Sequence, residues 1–132
     1  MRFNNHTTIH GRVVKTYELP LNEIEELNLL YEKEKKNLLS HSHILAGRLK
    51  SELEFRDFLP KTKIYKSLVE CMNDYMNSLV GYKLVDPNSS GKLAISSCWI
   101  NDMKEGEYNP PHTHFNSVGY STVLFLKVPD LI

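Results

Sequence analysis

Near the end of the chain stands Trp99-Ile100-Asn101, then a charged turn through Gly106, then Asn109-Pro110-Pro111-His112-Thr113-His114. In an extended backbone, side chains at i and i+2 project from the same face. His112 and His114 can therefore address one metal ion together, with Thr113 turned away. The two prolines hold φ at about −65° and bias Asn109 towards extended geometry, so the pair has little backbone freedom to lose on binding. Zinc, iron and copper all accept imidazole, and the pair alone does not choose among them. Asp102, Glu105, Glu107 and His10 are available as further donors, none at a diagnostic spacing. A second pair, His41-Ser42-His43, would diverge by about 200° in a helix and reads as surface or packing residues.

The elements that must position this run can be read from periodicity. Residues 7–18 are rich in β-branched types, with Gly11 inside, and predict a strand or short hairpin. Pro20 and Asn22 punctuate it. Asn22 followed by Glu25 has the form of a capping box. Ile24, Leu27, Leu30 and Tyr31 then recur at three- and four-residue steps, which predicts a helix over 22–36 whose charged run 32–36 is solvated. Ile64, Leu68, Met72, Tyr75, Met76 and Leu79 form a core stripe on a second helix, with Gly81 at its C′ position. Residues 86–91 read as a loop. A strand covered on both faces is expected over 92–101 and a second long strand over 118–128, ending at Pro129. Trp99 reads as a core residue. The order of helices followed by strands predicts an α+β fold, helices packed on one face of an antiparallel sheet.

The chain has 132 residues, enough for one domain, and 41% of them are hydrophobic, enough for a packed core. Sixteen basic residues balance sixteen acidic ones. That balance gives no reason to expect a nucleic-acid or anionic membrane partner. Cys71 and Cys98 are the only cysteines; they form no Cys-x-x-Cys and read as reduced core thiols. The N-terminus has no apolar leader and no window approaches a membrane span, so a cytoplasmic protein is expected.

The run Ser97-Cys98-Trp99-Ile100-Asn101 through Pro110-Pro111-His112-Thr113-His114 to Lys127-Val128-Pro129 resembles a branch of the Fe(II)/2-oxoglutarate-dependent oxygenases found in marine bacteria and their phages. Upstream, His43-Ile44-Leu45-Ala46-Gly47 resembles a Leu-Ala-Gly segment of the same family. The resemblance implies a partial double-stranded β-helix (a jelly-roll, cupin-like antiparallel sheet) with N-terminal helices buttressing it. It divides one domain into a strand and helices over about 1–85 and the first jelly-roll strands with the histidine loop over about 92–132. It implies Fe(II) as metal and 2-oxoglutarate as small-molecule cosubstrate, with His112 and His114 as metal ligands. Asn101 and Tyr120 would be cofactor-binding residues facing the pocket.

Two departures accompany the likeness. His114 stands where the family has a carboxylate, and the chain reaches Ile132 before the distal histidine and the 2-oxoglutarate-binding arginine that the family carries. A closed barrel of this kind takes about eight strands, so the expectation is a chain incomplete at its C-terminus, or one completed by a homo-oligomer through its last strand. Two other readings remain open at this point: a cupin-like metal protein that does not use 2-oxoglutarate, and a catalytically inactive truncated module.

Overall fold

A computed structural model describes residues 4–9, 13–39, 52–88, 93–109 and 119–129. Among the described residues the fold is mixed α+β, with two helices and two small antiparallel sheets. The hairpin pairs β1 (Asn5–Ile9) with β2 (Val13–Tyr17), Asn5 opposite Tyr17 and Ile9 opposite Val13. Along β2 burial alternates as a half-covered strand requires, with Val13, Lys15 and Tyr17 turned towards the protein and Val14 and Thr16 towards solvent.

Helix α1 (Leu21–Glu34) follows the expected stripe: Leu27 and Tyr31 are buried, and Ile24 and Leu30 pack beside them. Its start differs from the capping-box expectation. Pro20 is the N-cap, in extended conformation, and its carbonyl accepts the amides of Glu23 and Ile24 at 3.0 and 3.2 Å. Asn22 thus falls inside the first turn, past the position from which a side chain can cap.

Strand β3 (Glu52–Glu54) pairs antiparallel with β4 (Trp99–Asn101), Leu53 opposite Ile100. Beyond the ladder the Phe55 amide donates to the Cys98 carbonyl at 2.8 Å. A 3-10 turn at Leu59–Lys61 leads into α2 (Ile64–Gly81). The core gathers Leu27, Phe55, Leu59 and Ile64, and Ile95, Ile100, Leu124 and Leu126 pack against it.

The late strands are shorter than the sequence predicts. Within the span expected as a strand from 92, only Trp99–Asn101 enters a ladder among the described residues, and Ala94, Ser96 and Ser97 are exposed rather than covered. Residues 119–129 enter none. Leu124 and Leu126 still point to the core, while Val123 and Phe125 are 77% and 72% exposed. The alternation of a strand is present there, and what holds the segment is docking on α1: Asn28 Nδ2 donates to the Leu126 carbonyl at 3.0 Å.

The end of α2 also corrects an expectation. Gly81 is the last helical residue, and the left-handed position falls two residues later on Lys83, at φ 58°. The Leu84 amide bonds the Leu79 carbonyl and the Lys83 amide bonds the Val80 carbonyl, both at 2.9 Å, the paired bonds of a Schellman cap. A side chain with a Cβ is strained there, whereas a Cβ at Gly81 would meet nothing within 4 Å. Lys83→Gly is expected to raise the unfolding free energy by about 1 kcal/mol. Gly81→Ala should add ~0.5–1 kcal/mol. Urea titration reads both, and a loss at either position would contradict the cap geometry.

Candidate functional site

His112 and His114 lie outside the described residues, as do His10, His41 and His43; His6 is the one histidine among those described. The segments on either side of the histidine run are described, and both rest on α1. On the upstream side, the Tyr31 hydroxyl donates to Asp102 Oδ2 at 3.1 Å, immediately after β4. On the downstream side, Asn28 holds the Leu126 carbonyl three residues earlier on the helix. Asn28 and Tyr31 are one helical turn apart and so present neighbouring side chains.

Asp102 is further tied to Lys104, whose Nζ donates to Oδ1 at 2.7 Å. The Lys104 ammonium holds the Asp102 carboxyl below the usual carboxylate range; partial burial opposes this and the Tyr31 hydroxyl reinforces it. With both oxygens engaged, Asp102 serves the structure of the turn. That turn closes through the Glu107 amide on the Lys104 carbonyl at 3.0 Å, with Gly106 at φ 77° supplying the left-handed residue it needs. The Lys104 amide in return donates to Glu107 Oε2 at 2.9 Å. Glu107 Oε1 is buried and has no hydrogen-bond partner among the described residues.

The two residues expected at the cosubstrate sit on different elements. Asn101 ends β4 opposite Glu52, with its side chain exposed. Tyr120 lies edge-on against Tyr75 of α2, ring centroids 5.5 Å apart, and is 49% exposed. Trp99 is half-buried and pairs with Glu54 across the ladder. Among the described residues no group of three or more His, Cys, Asp or Glu side chains is placed to hold a metal ion.

No family model, curated protein or solved structure matches the chain.

Sequence periodicity missed a second polar cluster, where β2 meets α2. Lys15 Nζ pairs with Asp74 and reaches Ser78 Oγ at 2.8 Å, while the Tyr17 hydroxyl donates to Asp74 Oδ2 at 2.8 Å. Tyr75 closes the seam by donating to the Val13 carbonyl at 2.9 Å. A lysine beside a serine can act as general base for a nucleophile. Here the ammonium is shared with a carboxylate and offers no lone pair to Ser78, so the cluster joins two elements. One signal for it was available: Val13, Lys15 and Tyr17 share a strand face, and Ser67, Cys71, Asp74 and Ser78 follow one helical line. Ser67 on that line is fully buried and donates to Glu23 Oε2 at 2.5 Å.

Both cysteines are free thiols, Cys71 buried and Cys98 half-buried. Burial, with Glu54 adding to it, pushes the Cys98 thiol up, away from the thiolate that reactivity requires. No helix among the described residues is long and apolar enough to cross a membrane.

Proposed function

We propose that the chain carries the iron site of an Fe(II)/2-oxoglutarate-dependent oxygenase, built on the jelly-roll sheet that its C-terminal half begins and working in the cytoplasm. The observation that carries this reading is the sequence Trp99-Ile100-Asn101…Pro110-Pro111-His112-Thr113-His114, in which a Pro-Pro pair and a His-x-His pair follow a short strand. The docking of both flanking segments on α1 supports it, since ligand positions must be fixed by the elements around them. Iron with 2-oxoglutarate and O2 supplies the oxidising chemistry in such sites, and the protein supplies placement. His112 and His114 donate neutral imidazole nitrogens to the metal. Asn101, exposed at the end of β4, and Tyr120, held against Tyr75, are the side chains we assign to cosubstrate or substrate contact.

Protein purified without oxygen should bind one equivalent of Fe(II), and His112→Ala should lose that binding. Incubation with 2-oxoglutarate should then release succinate. Failure of the wild-type chain to bind a divalent metal would overturn the proposal. Tight metal binding without 2-oxoglutarate binding would instead select the cupin-like metal protein, and bound metal without turnover an inactive remnant.

A further inference from the structure

No backbone–backbone hydrogen bond joins residues 119–129 to the rest of the described residues, and no ladder includes them. Side chains do the holding. Leu124 and Leu126 pack against the core around Leu27, Phe55, Leu59 and Ile64. Asn28 on α1 donates to the Leu126 carbonyl at 3.0 Å, and the Tyr120 ring meets Tyr75 edge-on. Lys127 Nζ stands 4.0 Å from Glu32 Oε1. Val123 and Phe125, between these contacts, are exposed. The hairpin differs, having a full ladder besides its polar seam with α2. A stretch with few buried contacts and open backbone groups leaves the fold at a lower free energy than whole-chain unfolding requires. The carboxylate at its far end is also shared. Glu32 Oε2 is held by Lys35 Nζ at 2.5 Å, whereas Lys127 reaches only Oε1, at the longer distance. A carboxylate whose charge is met by one lysine attracts a second more weakly.

We propose that residues 119–129 form a strap that lifts off α1 as a unit while both helices and both sheets stay folded, and that Lys35 sets how tightly it is held by competing with Lys127 for Glu32. The closed form is the populated one, and in it Leu124 and Leu126 cover one side of the core. Lifting the strap withdraws both side chains and bares that side without unfolding the helices beneath. Asn28 and Glu32 act as the catch, one on the backbone and one on the last charged side chain of the strap. The strap goes beyond the metal site proposed above and stands without it.

Limited digestion of the full native chain with chymotrypsin tests this, with mass spectrometry reading cleavage after Phe125. Phe125 itself is exposed, but a protease must also grip its neighbours, and Leu124 and Leu126 are free to be gripped only when the strap is lifted. In wild type this cleavage should precede any within α1 or α2 and respond only weakly to urea, the mark of a local opening. Asn28→Ala should speed it ~2–10-fold, through the loss of one hydrogen bond. Glu32→Gln should speed it about 2-fold and Lys35→Met should slow it about 2-fold, as exposed ion pairs allow. Lys83→Gly, which stabilises the whole fold from the far end of α2, should leave the rate unchanged. A slowing of about 5-fold in Lys83→Gly, matching its global stabilisation, would show that cleavage waits for whole-chain unfolding and would overturn the strap. A urea dependence as steep as that of global unfolding would overturn it equally. Lys35→Met that leaves the rate unchanged or raises it would overturn the competition for Glu32.

Discussion

Replacing Phe55 with alanine should lower the unfolding free energy by about 3–5 kcal/mol, the range found when a buried phenylalanine is truncated. Phe55 is 1% exposed and sits among Leu27, Leu59 and Ile64, one contributor from each helix and one from the 3-10 turn. Its ring stacks on Phe58 with centroids 5.6 Å apart, a contact worth a further ~0.5–1.5 kcal/mol beyond buried area. The backbone at the same residue is also committed: its amide bonds Cys98, and its carbonyl accepts the amides of Phe58 and Leu59 at 3.1 Å each. The ring thus holds together the point where the short sheet, the 3-10 turn and both helices meet. Natural domains have only about 5–15 kcal/mol in hand, so the variant should unfold at a much lower urea concentration. It should also loosen β4, which leads into the histidine run. A loss below ~1 kcal/mol would mean that the core centres elsewhere.

Phe55 was hard to find in the sequence for a physical reason. It lies in a charged stretch, with Glu52, Glu54, Arg56 and Asp57 around it. Arg56 pairs with Asp57 at 3.3 Å and its amide donates to Glu54 Oε1 at 3.2 Å, and no helical or strand period spans the segment. Where a period existed, the fold was legible. The hairpin follows its β-branched run, and α1 and α2 follow their apolar stripes to within a residue or two. The ends of those helices were not legible, because capping depends on backbone geometry. Pro20 offers its carbonyl two residues ahead of Asn22, and the left-handed turn after α2 falls on Lys83 instead of Gly81. The expected late strands were read from alternation, which Leu124 and Leu126 against Val123 and Phe125 indeed show. Alternation reports which side faces the core; it does not report whether a neighbouring strand is there to complete a ladder. For the site, the sequence supplied the histidine pair, which lies outside the described residues. The contacts of Tyr31 and Asn28, and the burial of a Glu107 oxygen with no partner among the described residues, come from three-dimensional neighbours that no spacing encodes.

The same limit hid the ion pair between β2 and α2, and breaking it should have the second large effect. The Lys15 side chain is 8% exposed and that of Asp74 28%. Removing one partner of a buried pair leaves an uncompensated charge, which costs about 3–5 kcal/mol. Asp74→Asn should therefore destabilise by ~3 kcal/mol, at the low end because Asp74 is partly exposed and Ser78 still faces the ammonium. Replacing both partners by apolar residues of similar size, Lys15→Met with Asp74→Leu, should recover most of that loss, since no charge is then left buried. The pH dependence follows from the shifts. Burial alone would raise the Asp74 carboxyl, but hydrogen bonds from Lys15 and Tyr17 outweigh it and hold the group below the carboxylate range. Its contribution is therefore present above a pH of about 4, where the unfolded carboxyl ionises, and is lost as pH falls through the lower folded value. Tyr17 is pushed well above its ordinary value, first by burial and then by Asp74. Its contribution is complete below a pH of about 10 and is lost as pH rises beyond that. In Asp74→Asn both declines should shrink, the acid-side one because the carboxyl is gone and the alkaline one because the amide favours the neutral phenol less than a carboxylate does; the alkaline onset stays at a pH of about 10, set by the unfolded chain. Urea midpoints across pH 3–11 read both edges. Identical profiles for the variant and wild type would show that the hairpin is held on α2 by Val13 and Tyr75 and owes nothing to the charges.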